Sequence, residues 1–112
     1  MKLVLDALDG VNLSDIVVYD MRGKSPFFDY VAIASATSDR QLNATVSHIQ
    51  KGLKEHGYDM ANVEGKNSNS WVLVDCGDII VNSFTKEERV YYNLEKMLSE
   101  IDELDLKRLR EL

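Results

Sequence analysis

The sequence predicts one α/β (α+β) domain, a single mixed sheet of about five strands flanked by helices. Three observations predict it: short β-branched runs bounded by turn residues, two helix-start signals each followed by spaced apolar residues, and a Gly-Asp pair between two further strand runs. At 112 residues the chain fits one domain and leaves no room for a second core of ordinary size.

Residues 2–9 carry Leu3, Val4, Ala7 and Leu8, a spacing suited to a short helix laid on a sheet, although Leu3 and Leu5 also alternate as in a strand. Ile16, Val17, Val18 and Tyr19 form a β-branched run that Arg22-Gly23-Lys24-Ser25-Pro26 closes, and residues 30–34 read as a second, buried strand. Ser38-Asp39-Arg40-Gln41 has the form of a capping box, in which a serine oxygen and a glutamine side chain satisfy backbone donors at a helix start. Leu42, Val46, Ile49 and Leu53 then mark the apolar stripe of the longest helix, with Gly57 as its stop.

A short extended segment is expected over residues 60–64, and the polar stretch 65–70 reads as an exposed loop. Residues 71–76 and 79–84 flank Gly77-Asp78, and glycine first in a two-residue loop suits a type II′ hairpin. Thr85-Lys86-Glu87-Glu88 is a second capping box, from which Val90, Leu94, Met97 and Ile101 continue as an amphipathic helix. Residues 99–112 are leucine-dotted and charged, which makes them a helical C-terminal extension to a domain spanning residues 1–98. A crossover over the long helix followed by an antiparallel hairpin makes the sheet mixed.

With 45% hydrophobic and 29% charged residues the chain can build a core. Its net charge of −6, from 19 acidic and 13 basic side chains, repels a phosphate backbone and disfavours direct nucleic-acid recognition, while it suits a basic protein partner. Cys76 is the one cysteine, so no internal disulfide is available and a thiolate metal site lacks companions. No apolar run is long enough for a bilayer, and the opening Met-Lys-Leu-Val-Leu-Asp is unlike a signal peptide, so a cytoplasmic protein with no membrane partner is expected.

Trp71 reads equally well as a core residue or an interface anchor. Asp75 and Asp78 would make a magnesium pair for nucleotidyl transfer only if they converged, and residues three apart around a turn need not. His48 and His56 both fall on the long helix, with nothing tying either to Cys76 as a hydrolase pair would require.

Several blocks carry a resemblance. They are Asp15-Ile16-Val17-Val18-Tyr19-Asp20 with Arg22-Gly23, Asp29-Tyr30-Val31-Ala32-Ile33-Ala34 with Thr37-Ser38-Asp39-Arg40-Gln41, Val63-Glu64-Gly65, Trp71-Val72-Leu73-Val74-Asp75, Gly77-Asp78-Ile79-Ile80-Val81, and Arg89 followed by Tyr92-Asn93-Leu94-Glu95. In order and spacing they resemble the Iojap or ribosomal silencing factor family. Ala36 stands where that family usually has glycine, and Asn82 where it often has histidine.

The resemblance implies a nucleotidyltransferase-like sheet without catalytic residues: the Gly-Ser helix entry and acidic-apolar-acidic strand of such transferases are missing. It implies no cofactor, no metal and no enzymatic turnover. The implied activity is binding of large ribosomal subunit protein fourteen, which sterically blocks joining of the small subunit and represses translation when nutrients are limiting. The implied contact residues are Trp71, Asp75, Cys76, Gly77 and Asp78 of the hairpin and Tyr92 of the last helix, with Glu64 and Arg89 nearby. A homodimer is also compatible with the resemblance. The alternatives are a homodimeric scaffold acting through a sheet edge or the charged tail, and a magnesium-dependent nucleotidyltransferase.

Overall fold

The computed structural model describes residues 1–65 and 69–111. In chain order the elements are α1 (Lys2–Gly10), β1 (Ser14–Asp20), β2 (Tyr30–Ala36), α2 (Asp39–Glu55), β3 (Asn62–Glu64), β4 (Trp71–Asp75), β5 (Ile79–Thr85), α3 (Lys86–Tyr92), α4 (Leu94–Met97) and α5 (Leu106–Arg110). The strands form the expected five-stranded mixed sheet in the order β1-β2-β5-β4-β3, with β2 and β5 parallel and the other neighbours antiparallel. The chain thus crosses along α2, lays down β3 and β4, and only then inserts β5 beside β2. Of the polar loop expected at 65–70, residues 66–68 lie outside the described residues.

One face of the sheet is sealed by α1 and α2. Ala32, Ala34 and Ala36 of β2, Val72 and Val74 of β4, and Ile79 and Val81 of β5 meet the α2 stripe of Leu42, Val46, Ile49 and Leu53 there. The alanines leave room for the larger helix side chains, so the layers interlock. α2 starts at the predicted cap: Ser38 Oγ accepts from the Gln41 N–H at 3.2 Å, while Gln41 Oε1 reaches one residue beyond the expected partner and accepts from the Thr37 N–H at 2.7 Å. Its C-terminus closes with the Tyr58 N–H donating to the Leu53 carbonyl at 2.9 Å. α1 buries Val4, Leu5 and Leu8, so Leu5 joins the core and Leu3 is only partly covered.

The other face carries a smaller cluster of Tyr19, Val31, Ile33 and Phe84, roofed by Leu94, Leu98 and Ile101. Here the structure departs from the expected continuous last helix. α3 starts as predicted, with Thr85 Oγ1 accepting from the Glu88 N–H, but it ends at Asn93, which adopts φ +47° and ψ +52°. Asparagine tolerates this left-handed conformation better than most residues. The break lets Arg89 and Glu95, six apart and on different faces of a straight helix, meet at 2.8 Å. Val90 and Met97, expected on the apolar face, are exposed, while Leu94 and Ile101 pack on the sheet.

Residues 99–111, expected as a charged helical extension, are helical only over α5 (Leu106–Arg110) and pack against the rest of the chain. The Asp20 N–H donates to the Asp102 carbonyl at 2.9 Å and the Leu104 N–H to the Val18 carbonyl at 2.8 Å, which covers the outer edge of β1. The chain then rounds that edge to the helical side, where Leu104, Leu106 and Leu109 pack on the first core and Arg110 pairs with Asp9 at 2.9 Å. No helix of the described residues is long and apolar enough to cross a membrane.

Candidate functional site

The roof of the second face stops short of β4 and β3. β4 shows this directly: Val72 and Val74 are buried under α2, whereas Trp71, Leu73 and Asp75 on the opposite side are only half-buried. The two-residue Gly77-Asp78 turn sets what lies beside them. Gly77 takes φ +95°, and the Cys76 N–H donates to the Ile79 carbonyl at 2.9 Å. Asp75 Oδ1 accepts from the Gly77 N–H at 2.9 Å, and the Asp78 carbonyl accepts from the Asp29 and Tyr30 N–H groups, which pins the turn to the start of β2. The resulting register places Trp71 opposite Phe84, Leu73 opposite Asn82 and Asp75 opposite Ile80.

Trp71 stacks on buried Phe84 with ring centroids 5.0 Å apart and planes 22° from parallel. Tyr92 closes on the same indole at 4.9 Å, and Tyr91 meets Tyr92 edge-on at 5.3 Å. The four rings grade from the core outward, with Tyr92 44% and Tyr91 79% exposed. Consecutive positions on α3 point about 100° apart, which is why only Tyr92 reaches the indole. Such a cluster offers rigid apolar area with polar tips, the usual make-up of an interface anchor.

Carboxylates rim the rings. Glu64 of β3 pairs in register with Leu73, so its side chain rises on the same face as Leu73, Trp71 and Asp75. Glu64, Gly65, Trp71 and Leu73 line a small depression of about 100 Å³. Gly65 sits at φ +79°, and a Cβ there would collide with the backbone carbonyl of Trp71, so only glycine lets the chain pass this close to the tryptophan. Asp78 is exposed in the turn.

Two of the expected contact residues are placed elsewhere. Cys76 packs toward the helical side, in a cavity of about 310 Å³ that Met1, Leu3, Leu53, Tyr58 and the exposed Asp78 of the turn help line. Burial pushes its thiol up to about 11, with the carboxylates of Asp75 and Asp78 adding to the effect. Arg89, whose side chain is 10% exposed, is engaged within the fold. Its guanidinium donates to Glu95 Oε1 at 2.8 Å, the Asp15 carbonyl at 2.6 Å and Ser35 Oγ at 2.8 Å. It joins α3, α4, β1 and β2, and little of it faces solvent.

Two residues that sequence reasoning passed over belong to the face. Phe84 is the floor of the stack, and Asn82 Oδ1 accepts from the indole Nε1–H of Trp71 at 3.1 Å. A two-residue turn fixes hairpin pairing, so counting outward from Gly77-Asp78 gives the Trp71–Phe84 pair from sequence alone. Both histidines are held by their own helix, His48 Nδ1 at 3.0 Å from the Ala44 carbonyl and His56 Nδ1 at 2.9 Å from that of Gly52. Among the described residues no group of three or more histidine, cysteine, aspartate or glutamate side chains is placed to hold a metal ion.

Known proteins share this sequence and fold. The family model described as "Ribosomal silencing factor during starvation" matches residues 1–112. The ribosomal silencing factor of Bacillus subtilis is 39% identical over 106 residues, covering 95% of this chain and 90% of the relative. That of Haemophilus influenzae is 36% identical and covers 87% of this chain and 95% of its own length. A crystal structure from Chromobacterium violaceum superposes with a TM-score of 0.81 at 35% identity, covering 86% of this chain and 80% of that one. A match along the whole chain, joined to relatives this similar over most of their length, shows that the protein belongs to the ribosomal silencing factor family.

Proposed function

We propose that this protein represses translation in the cytoplasm by docking on the large ribosomal subunit through its protein fourteen, so that the small subunit cannot join when nutrients are limiting. The observation that carries the reading is the half of the sheet that no helix among the described residues covers, where Trp71 and Tyr92 form an aromatic centre on the same face as the carboxylates of Glu64 and Asp75. The partner is named from the resemblance of the sequence blocks. Charge supports it: a domain of net charge −6 meets a basic ribosomal protein with long-range attraction and meets exposed phosphate with repulsion. Steric exclusion needs only position and affinity, which fits a site made of rings and rim carboxylates. No catalytic step is required.

The test is co-sedimentation of the purified protein with separated ribosomal subunits. Wild type is expected with the large subunit alone. Trp71→Ala and Tyr92→Ala each remove an anchor ring, and loss of the tryptophan should weaken binding by roughly thirtyfold, about 2 kcal/mol. Migration with the small subunit only, or with neither, defeats the function. Unchanged binding by the folded double variant defeats the site.

A further inference from the structure

We infer that Asn82 is a positioning residue for the docking face, whose amide sets the orientation in which the Trp71 indole meets its partner. The inference rests on the docking reading above. Asn82 is 4% exposed in the middle of β5, on the same face as Phe84, and lies diagonally across the hairpin from Trp71. An indole N–H can only donate, so the bond at 3.1 Å turns the amide oxygen toward Trp71 and leaves Nδ2 to the Ala32 carbonyl of β2 at 3.5 Å. Both ends of the amide are then used in one orientation only.

Stacking cannot do this alone. A ring lying 22° from parallel on Phe84 presents an apolar face to the sheet, and a half-turn about the bond to the indole, which swaps the sides of its two rings, keeps the ring plane and still presents an apolar face. The same half-turn carries Nε1 away from β5 and leaves a buried amide oxygen without its donor. The stack therefore holds the indole down, and Asn82 selects which edge points inward. Core packing gives no separate reason for an amide here, since an apolar side chain between Ile80 and Phe84 would continue the face with no polar group to satisfy.

Two variants and one spectroscopic readout test the inference. Asn82→Leu removes the acceptor while keeping size. It is expected to lower the thermal midpoint by about 5 °C, the cost of one ordinary hydrogen bond within the fold, and to bind large subunits roughly fivefold more weakly because the indole is no longer held in its docking orientation. Trp71 is the only tryptophan, so its emission and its quenching by acrylamide should change in the same variant. Asn82→His places Nδ1 where Oδ1 stood. The neutral imidazole accepts there, and the imidazolium only donates, so this variant should bind like wild type near about pH 8 and lose affinity toward about pH 5.5. Wild type is measured over the same range, which accounts for Asp75 and Glu64 on the neighbouring strands and Tyr92 above the ring.

Unchanged binding by folded Asn82→Leu overturns the inference. If the leucine variant does not fold, a pH profile of Asn82→His parallel to wild type overturns it instead. Trp71→Ala, run alongside, separates the two levels. Wild-type binding by that variant defeats docking itself, whereas loss with Trp71→Ala and none with Asn82→Leu defeats only the role given to Asn82.

Discussion

β2 and β4 lie on either side of β5, and the helices treat them differently. β2 has six of its seven residues buried and reads as an unbroken apolar run, while β4 alternates buried and half-buried along its whole length. α1 and α2 seal one side of both strands. On the other side the roof of Leu94, Leu98 and Ile101 covers the β1–β2 half, and no helix among the described residues covers the β4–β3 half. Two strands of similar composition thus do different work: the doubly covered one supplies stability, and the singly covered one supplies a surface.

The largest effect expected of this contrast lies under the sealed face. Ile49 on α2 is fully buried, and Ile49→Ala should destabilise the domain by about 2–5 kcal/mol through lost transfer energy and an unfilled cavity. Denaturant titration measures it. Large-subunit binding by the folded fraction should match wild type, and a binding defect larger than the folding defect would mean that the two faces are not independent.

Arg89 comes next, because it lies near the open face yet serves the fold. Arg89→Met keeps the stem and removes three charge-assisted hydrogen bonds, one of them to a carboxylate whose partner is then missing. A loss of roughly 2–3 kcal/mol is expected, with binding reduced only as far as α3 loosens beneath Tyr92. Strong loss of binding at full stability would instead make Arg89 a contact residue.

Much of the fold was legible because its signals are local. The side-chain caps at Ser38 and Thr85 and the Gly77-Asp78 turn satisfy backbone groups within a few residues, the α2 stripe repeats within one helix, and each starts, joins or marks the element it predicts. The course of the chain after Tyr92 was not legible, because a long-range ion pair and roof packing decide it. Val90, Leu94, Met97 and Ile101 keep helical spacing, yet Asn93 turns left-handed so that Arg89 can reach both Glu95 and β1. α1 shows the same limit, since its expected helical stripe of Leu3, Val4, Ala7 and Leu8 left out Leu5, which the structure buries with Val4 and Leu8. At the site, Trp71, Asp75 and Glu64 share a face because strand period and register require it. Cys76 follows Asp75 by one residue and so points the other way, a consequence of the pleat that the resemblance did not supply.

Smaller effects belong to the open face. Tyr91 is the outermost ring, touching only Tyr92 among the aromatic contacts described. Tyr91→Ala should change stability by less than about 0.5 kcal/mol. If Tyr91 extends the docking surface, its loss weakens subunit binding severalfold. If it merely steadies Tyr92, Tyr91→Leu should restore the affinity that Tyr91→Ala loses, and sedimentation of both variants decides.

The smallest perturbation compares two neighbours on opposite faces. Cys76 looks into the helical side, and its thiol, pushed up to about 11 by burial and then by Asp75 and Asp78, stays protonated at neutral pH. Only the thiolate attacks disulfide reagents, so near pH 8 Cys76 should react on the order of a hundredfold more slowly than a free cysteine, with the rate climbing as pH approaches the raised value. Binding of large subunits should leave the labelling rate unchanged while it shields Trp71 from acrylamide, since β4 turns the two residues to opposite sides. Protection of Cys76 by bound subunits would bring the turn into the interface from its helical side and extend the docking surface around the end of the hairpin.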